Sequence, residues 1–168
     1  MAARMACDYP TLAALLGPLL VETQVHADGA RSDERPLGLL VQTCVVASLT
    51  LKPLGYFDLA LRLAERAQVV ARQLNDPVHI AAADFTRAQG QLAQGFGSLR
   101  SRSLALASQA ADKLQGERSD DARTWYGMLR LHAAMSAATL GRADEAAAHF
   151  GEAAAPGAST SSRSPASR

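Results

Sequence analysis

The sequence predicts an all-α protein, a stack of helix pairs of the α–α superhelix type, and three observations support this. The 168 residues include 35 alanines, and alanine is the best helix former. Aromatic residues, which strands favour, make up only 5% of the chain. Apolar residues recur at steps of three and four, the α-helical period, and glycine turns divide the pattern at intervals of 40 to 46 residues. The length suits a single domain with a sizeable core.

The N-terminal part of the chain predicts one isolated helix. Residues 1–10 are expected to be a flexible N-terminus, and a polar loop is expected at 27–35. Between them, residues 11–26 predict a helix that Gly17 and Pro18 kink or split, because proline cannot continue the helical hydrogen bonding. Five leucines form the apolar stripe of this helix: Leu12, Leu15, Leu16, Leu19 and Leu20.

The first predicted helix pair occupies residues 37–55 and 56–75. Pro36 suits the first helical position, while Pro53 and Gly55 end the first helix, since glycine readily takes the left-handed conformation of a C-cap. The stripe of the first helix comprises Leu37, Leu40, Cys44, Ala47 and Leu51. The second helix is the most clearly amphipathic in the chain, and its stripe comprises Phe57, Ala60, Leu61, Ala64, Ala67, Ala71 and Leu74.

Two further pairs are predicted at 77–94 with 98–115 and at 122–140 with 142–155. The stripes of the middle pair are Ala81, Phe85, Ala88 and Leu92, then Leu104, Ala107, Ala111 and Leu114. Those of the last pair are Trp125, Met128, Leu129, Leu131, Met135 and Ala138, then Ala143, Ala146, Ala147, Phe150 and Ala153. A helix pair cannot bury its apolar face alone, so three pairs are expected to stack into one core.

Local signals mark the ends of these helices. Asp76 suits an N-cap and Pro77 the first helical position that follows it. Gly95 and Gly141 provide the turns within the second and third pairs. The tail at 156–168 contains only Pro, Gly, Ala, Ser, Thr and Arg, and it is expected to be disordered.

Two stretches carry a family resemblance. "TLGRADEAAAHFGEAA" resembles the turn and second helix of a tetratricopeptide repeat, through Gly141, Ala146, Phe150 and Ala153. "LGYFDLALRLAERA" is similar, through Gly55, Ala60, Ala64 and Ala67. The resemblance implies a tetratricopeptide-like stack of three antiparallel helix pairs with an N-terminal helix, covering residues 11–155.

A narrower resemblance covers about residues 9–155. The LGxxDLA turn, the "NDP" junction and the pair Tyr126 and Gly127 make the chain similar to the C-terminal helical region of actinobacterial helix-turn-helix transcriptional regulators of the xenobiotic-response-element type, here without the DNA-binding domain. The resemblance implies a regulatory interaction module that binds a protein or peptide partner or self-associates as a homodimer. The alternative is a small-molecule sensor with an inter-helix pocket that acts on a DNA-binding partner.

Charge and cysteine content narrow the partners and the compartment. The formal net charge is +1, and the body without the tail carries −1, so direct nucleic-acid binding is not expected, since it usually needs a strongly basic face. Cys7 and Cys44 lack the spacing of a disulfide framework, which favours a reducing compartment. No uninterrupted apolar run reaches the length of a membrane span, and we expect a cytoplasmic protein.

The sequence contains no motif for catalysis, metal binding or cofactor binding. Four histidines, His26, His79, His132 and His149, have no metal-ligand spacing. There is no GxSxG motif, and "GQLAQGFG" lacks the Lys-Ser/Thr of a phosphate-binding loop. Acid pairs at predicted helix starts are explained by the helix dipole. We therefore expect a non-enzymatic protein without metal or cofactor.

The candidate partner-binding residues are the polar side chains on the first helix of each pair, which line the concave groove in tetratricopeptide-like stacks. They are Gln42, Asp84, Arg87, Gln91, Tyr126 and Arg130. Arginine and tyrosine are favoured interface anchors, although the same residues could simply solvate a helix face. Trp125, Met128, Met135 and Phe150 are expected to pack between helices, with a ligand pocket as the alternative.

Overall fold

The computed structural model describes residues 8–29, 34–95 and 97–155, and every regular element in these ranges is helical. The all-α prediction is confirmed. The helices are α1 Tyr9–Gly29, α2 Arg35–Leu51, α3 Phe57–Leu74, α4 Pro77–Ala93, α5 Gly97–Lys113, α6 Asp120–Thr139 and α7 Ala143–Ala154, with a short 3-10 helix at Lys52–Leu54 after α2.

Each helix packs against its neighbours in the chain, and α4 also packs against α2 and α6. The alternate helices α2, α4 and α6 therefore form one continuous layer, against which α3, α5 and α7 pack. The bounds of α2 to α7 agree with the six helices predicted for residues 37–155. Helix α1 packs on α2 at the N-terminal end of this arrangement.

Alanine-rich helix faces form two core clusters that share α4. The first cluster contains Ala81, Phe85, Ala88, Leu104, Ala107, Ala110, Ala111, Leu114, Ala122, Leu129, Ala133 and Ala137. The second contains Ala27, Leu40, Val41, Cys44, Val45, Ala67, Val70, Ala71, Ala82 and Ala83. Leu49 and Trp125 pack against both clusters. The small alanine side chains allow close approach of the helices, and Phe85 and Trp125, with ring centroids 5.6 Å apart, fill the wider space at the junction.

The predicted helix ends are confirmed where the local chemistry is specific. Gly55 and Gly141 have φ values of +87° and +74°, a left-handed conformation that residues with a Cβ rarely adopt. The carboxylate of Asp76 accepts a hydrogen bond from the backbone N–H of His79 at 2.8 Å, and Pro77 is the first residue of α4. These short turns set consecutive helices side by side.

Helix α1 differs from its prediction in two respects. It runs unbroken from Tyr9 to Gly29 with Pro18 inside it, so it is not split, and Ala27 to Gly29, which were predicted to belong to the loop, are helical. The Ala14 carbonyl, which Pro18 cannot bond, lies on the solvent-facing side of the helix, where water can bond it. The predicted leucine stripe is also wrong in part, because Leu12 and Leu16 are buried whereas Leu15 and Leu19 are exposed.

The predicted apolar stripe of α6 mixes two faces of the helix. Leu129 is buried, but Met128, Leu131 and Met135 are exposed, as is Phe150 on α7. The expectation that Met128, Met135 and Phe150 pack between helices is therefore wrong, whereas Trp125 is half-buried in the core as expected. The buried face of α6 instead includes the polar residues Arg130, His132 and Ser136, because it is enclosed by α4, α5 and α7 and these neighbours provide hydrogen-bond partners for most of their polar atoms.

Several expectations concern residues outside the described ranges: the environment of Cys7, the disorder of the tail at 156–168, and most of the flexible N-terminus. Among the described residues, Glu34–Leu54 is long and apolar enough to cross a membrane by length and composition, and half of its most apolar stretch is buried within the structure. The sequence analysis expects no membrane span because it considers only uninterrupted apolar runs. The segment Glu34–Leu54 is not such a run, since it has charged residues near both ends. A core helix passes the same test.

Candidate functional site

The structure does not bring the six candidate residues together. Asp84 and Arg87 of α4 belong to one polar network with α3, and Tyr126 and Arg130 of α6 belong to another with α5 and α7. Gln42 is exposed on α2 and belongs to neither network. Gln91, the sixth candidate, is half-buried on α4, and its Oε1 has no hydrogen-bond partner. These side chains therefore share no single hydrogen-bond network, and their role in binding a partner stays a prediction.

The first network is centred on the buried Gln68 of α3. Its Nε2 donates to Asp84 Oδ1 at 2.5 Å, and its Oε1 accepts from the guanidinium of Arg87 at 2.8 Å. Glu65 lies 3.7 Å from the same guanidinium nitrogen. Each buried polar group thus has a partner within the chain. Sequence reasoning missed Gln68, although it follows Ala64 by four residues and so lies beside the apolar stripe of α3.

The second network surrounds Arg130, whose side chain is 5% exposed. Its guanidinium lies 2.7 Å from Asp112 Oδ1 on α5 and 2.8 Å from Glu152 Oε2 on α7. It also stacks over the ring of Tyr126 at 5.1 Å from the centroid, and the Tyr126 hydroxyl donates to Glu152 at 3.1 Å. Arg130 therefore connects three helices and is not a free anchor for a partner.

The electrostatics of Arg130 keep it charged in its buried position. Burial by itself lowers the pKa of Arg130, but the interactions with Tyr126, the hydrogen bond to Asp112 and the charge of Glu152 outweigh it and raise the pKa. Its Nη1 also lies 3.4 Å from His149 Nδ1. Because arginine can only donate, Nδ1 of His149 must be the unprotonated nitrogen in this contact.

A third cluster, unexpected in detail, joins α4, α5 and α6 around the buried His132. The hydroxyl of Ser103 donates to the carbonyl oxygen of Ala88 at 2.8 Å and lies 2.9 Å from His132 Nε2. Ser136 Oγ lies 3.2 Å from the same hydroxyl. Since the only proton of Ser103 goes to Ala88, His132 Nε2 must donate, and Nδ1 is the unprotonated nitrogen.

This serine–histidine contact is not arranged for nucleophilic catalysis. A catalytic base must accept the proton of the nucleophile, whereas His132 donates to Ser103, and Ser103 is 0% exposed. Burial also lowers the pKa of His132 to about 4, so its neutral form predominates near neutral pH. The expectation that His132 is a satisfied core residue is confirmed at Nε2, while Nδ1 has no hydrogen-bond partner.

The remaining titratable side chains form no recognisable metal centre. Within the described ranges, no group of three or more His, Cys, Asp and Glu side chains could hold a metal ion. The thiol of Cys44 is buried, as its position on an apolar stripe predicts. Burial raises its pKa to about 11, which keeps it protonated and unreactive.

Two exposed apolar surfaces were not anticipated. The first, the α6 stripe, consists of Met128, Leu131 and Met135, which are 40%, 45% and 51% exposed and recur at steps of three and four. Phe150, 59% exposed, lies on the adjacent helix α7. The sequence of α6 contains more apolar residues than one helix face can hold, and this excess could have predicted that some of them are exposed.

The second surface, the α1 face, consists of Ala14, Leu15, Pro18, Val21 and Val25. Leu15, Val21 and Val25 are 58%, 67% and 65% exposed, and Ala14 and Pro18 are exposed as well. The buried residues of α1, Leu12, Leu16 and Ala27, lie on the opposite side of the helix.

Comparison with known proteins adds no assignment: no protein-family model matches the chain, and no curated protein or solved structure is significantly similar to it.

Proposed function

We propose that the protein is a non-catalytic helical-repeat interaction module whose three helix pairs form a tetratricopeptide-like stack. Three features support this arrangement: the helices occur in pairs, left-handed glycines lie in the turns within the pairs, and the first helices of the pairs pack on one another through α4. In such a stack the first helices line the concave surface. We infer that the α6 stripe, on the first helix of the last pair, belongs to this partner-binding surface.

The observation that carries the proposal is the exposure of the α6 stripe. Large apolar side chains that recur on one helical face and stay uncovered are typical of a protein-binding surface. Methionine suits this role because its flexible thioether adapts to different partner surfaces. At these exposures, complete coverage would contribute about 1 kcal/mol per side chain. The stripe alone therefore gives weak binding, to which the partner adds contacts with Phe150 and nearby polar side chains.

The polar network around Arg130 supports this surface from behind. Arg130 holds α6 against α5 and α7 through Asp112 and Glu152, while Met128 and Leu131 on the same helix remain exposed. The candidate residues Tyr126 and Arg130 thus serve to position α6, and the partner contacts the stripe itself. This assignment replaces the polar groove expected from the sequence.

The resemblance to regulator effector regions makes a regulatory protein or peptide the favoured partner, in a cytoplasmic setting. The near-neutral charge favours a protein partner over direct contact with nucleic acid. A DNA-binding domain would then have to be supplied by another polypeptide or by a longer form of this one. These assignments follow from the resemblance and remain part of the proposal.

Site-specific photocrosslinking tests the partner surface. A photoreactive residue replaces Leu131 in one variant and the exposed Arg118, in the turn before α6, in the matched control. In lysate of the source organism, the variant at position 131 should form a discrete crosslinked product that the control does not form. Adding Met135→Glu to the photoreactive variant should abolish that product. Equal crosslinking at positions 131 and 118 would contradict a specific surface.

The alternative function, a small-molecule sensor, is favoured by one specific observation. Nδ1 of His132 and Oε1 of Gln91 are buried acceptors with no hydrogen-bond partner, and leaving such atoms unsatisfied is unfavourable. A ligand with a hydrogen-bond donor would satisfy Nδ1. Melting the protein against a metabolite library tests this, since a ligand at 100-fold its Kd adds ~2.7 kcal/mol. A shift that His132→Asn abolishes would favour the sensor, and no shift with any compound would argue against it.

A further inference from the structure

Helix α7 is held against the fold by polar contacts more than by apolar burial. None of its 12 residues is fully buried, whereas its counterparts in the other pairs, α3 and α5, bury six and five residues. Its one large apolar side chain, Phe150, is 59% exposed, and its other apolar side chains are alanines, which bury little area each. A helix of this length is marginal by itself in water. Its position therefore depends on the side chains that bind it to its neighbours.

Most of these contacts meet at one guanidinium, that of Arg130 on α6. Glu152 Oε2 lies 2.8 Å from Arg130 Nε and accepts a hydrogen bond from the Tyr126 hydroxyl at 3.1 Å. His149 Nδ1 lies 3.4 Å from Arg130 Nη1, and His149 Nε2 donates to Ser108 Oγ on α5 at 3.3 Å. Three of these four contacts thus depend on Arg130 and Tyr126.

The glutamate of α7 satisfies the charge of this site but not all of its donors. Arg130 is 4% exposed, and its Nε has no hydrogen-bond partner although Glu152 Oε2 is 2.8 Å away, because the oxygen lies off the N–H direction. A buried donor left unsatisfied is costly, and a hydrogen bond between charged groups is strongest when it is well aligned. A carboxylate in line with the Nε–H bond would therefore bind better than Glu152 does.

We propose that α7 is a releasable cover over a carboxylate-binding site on α6, and that a partner helix with a glutamate can replace α7 on Arg130 and Tyr126. When α7 leaves, Arg130 keeps its hydrogen bond to Asp112 on α5 at 2.7 Å and its position over the Tyr126 ring. The site therefore stays assembled, with Nε and the Tyr126 hydroxyl open to a new carboxylate. The partner is a helix because this side of α6 already accommodates one.

The sequence of α7 indicates the chemistry of that partner helix. It contains three carboxylates, those of Asp144, Glu145 and Glu152, and no lysine or arginine, so an acidic, alanine-rich helix matches it. The site is distinct from the α6 stripe, because Arg130 lies on the buried side of α6 and the stripe on the exposed side. The proposal is therefore independent of the partner proposed for the stripe. It also makes binding conditional, since the site is available only in the fraction of molecules in which α7 is open.

Amide hydrogen exchange of the full chain measures the opening of α7. The backbone N–H groups of residues 147–154 should exchange at one shared rate, faster than those of α4, because α7 opens as a unit. Glu152→Gln removes the charge that pairs with Arg130 and should speed this exchange about fivefold while leaving that of α4 unchanged. Asp112→Asn is the matched control. It removes the other carboxylate from the same guanidinium, but on α5, and should not speed the exchange of α7.

Three exchange results would overturn the cover. Exchange of α7 as slow as that of α4 would show that α7 opens only when the whole protein unfolds. Rates that rise gradually toward Ala154 and do not respond to Glu152→Gln would show simple fraying of a helix end. Equal acceleration of α7 by Asp112→Asn and by Glu152→Gln would show a general loss of stability and no specific release of α7.

A free copy of α7 tests the site itself. A fluorescein-labelled peptide of residues 142–155 is titrated with the full chain and followed by fluorescence anisotropy. In the wild type the tethered α7 competes at an effective concentration in the millimolar range. The Glu152→Gln chain should bind the peptide about fivefold more tightly than the wild type, because its site is open in a larger fraction of molecules.

The matched control is the same peptide with Glu152→Gln, which lacks the carboxylate and should bind the Glu152→Gln chain about fivefold more weakly than the unchanged peptide. Equal binding of the two peptides would show that the carboxylate is not recognised. Failure of both peptides to bind the Glu152→Gln chain would show that this side of α6 does not accept a second helix. Either result would overturn the proposal.

Discussion

The buried His132 makes the stability of the fold sensitive to mild acid. In the unfolded chain its imidazole titrates near its ordinary pKa of 6.5, whereas burial lowers the folded-state pKa to about 4. Between these values the unfolded chain binds a proton that the folded chain excludes, so stability falls as the pH decreases from 6.5 to 4 and is unaffected by this group below pH 4. The full difference corresponds to about 3 kcal/mol, of which roughly 2 kcal/mol is lost by pH 5.

Urea unfolding at pH 7.5 and at pH 5 measures this loss. In His132→Asn the same decrease in pH should change the free energy of unfolding by about 2 kcal/mol less than in the wild type, because that titration is gone. The readout is the difference between the two pH values, so any general destabilisation by the substitution cancels. His26→Gln, which removes an exposed imidazole, should keep the wild-type pH dependence. An identical pH dependence in His132→Asn would refute the buried neutral imidazole.

Three further predictions follow from the turns, the second polar network and the tail. Gly141→Val should lower the free energy of unfolding by about 1 kcal/mol or more, because φ is +74° at this residue. The control is Gly127→Ala, which lies in helical backbone with open space at the Cβ position and should not destabilise the protein. An unchanged Tm for Gly141→Val would contradict the left-handed turn. Arg130→Met should destabilise by about 1–2 kcal/mol in urea melts, less than for a fully buried pair because both carboxylates are about half exposed; wild-type stability would show that the network contributes nothing. Deleting the residues after Ala155 should leave the circular dichroism intact, and a marked loss of helicity would show that the tail belongs to the fold.

The number of helices and their turns could be predicted from the sequence because each rests on local chemistry. Gly55 and Gly141 end helices since they take a backbone conformation that other residues avoid, and Asp76 with Pro77 begins one through a side-chain cap. The regularly spaced alanines of α3 likewise define its buried face through a pattern that is local in the sequence. Such signals act within one or two turns of helix, so they do not depend on which helices pack together.

The buried face of α6 could not be predicted because it depends on neighbours far away in the sequence. Arg130 can be buried because Asp112 and Glu152 approach it from other helices. His132 can be buried because Ser103, on another helix, accepts its hydrogen bond. Hydrophobic periodicity counts such polar residues as solvent-facing and therefore assigns Met128 to the core. The same periodicity predicts Asp84 and Arg130 to be solvent-facing, whereas both are buried.

The central claim is that the exposed apolar stripe of α6 binds the partner. Methyl NMR of methionine-labelled protein with a soluble paramagnetic agent tests this claim most directly. The chain contains four methionines, of which Met128 and Met135 lie on the stripe, and Met128→Leu and Met135→Leu assign their signals. The account predicts that the agent broadens both methyl signals in the free protein and that the photocrosslinked partner protects them. Signals protected in the free protein, or broadened equally with and without that partner, would contradict it.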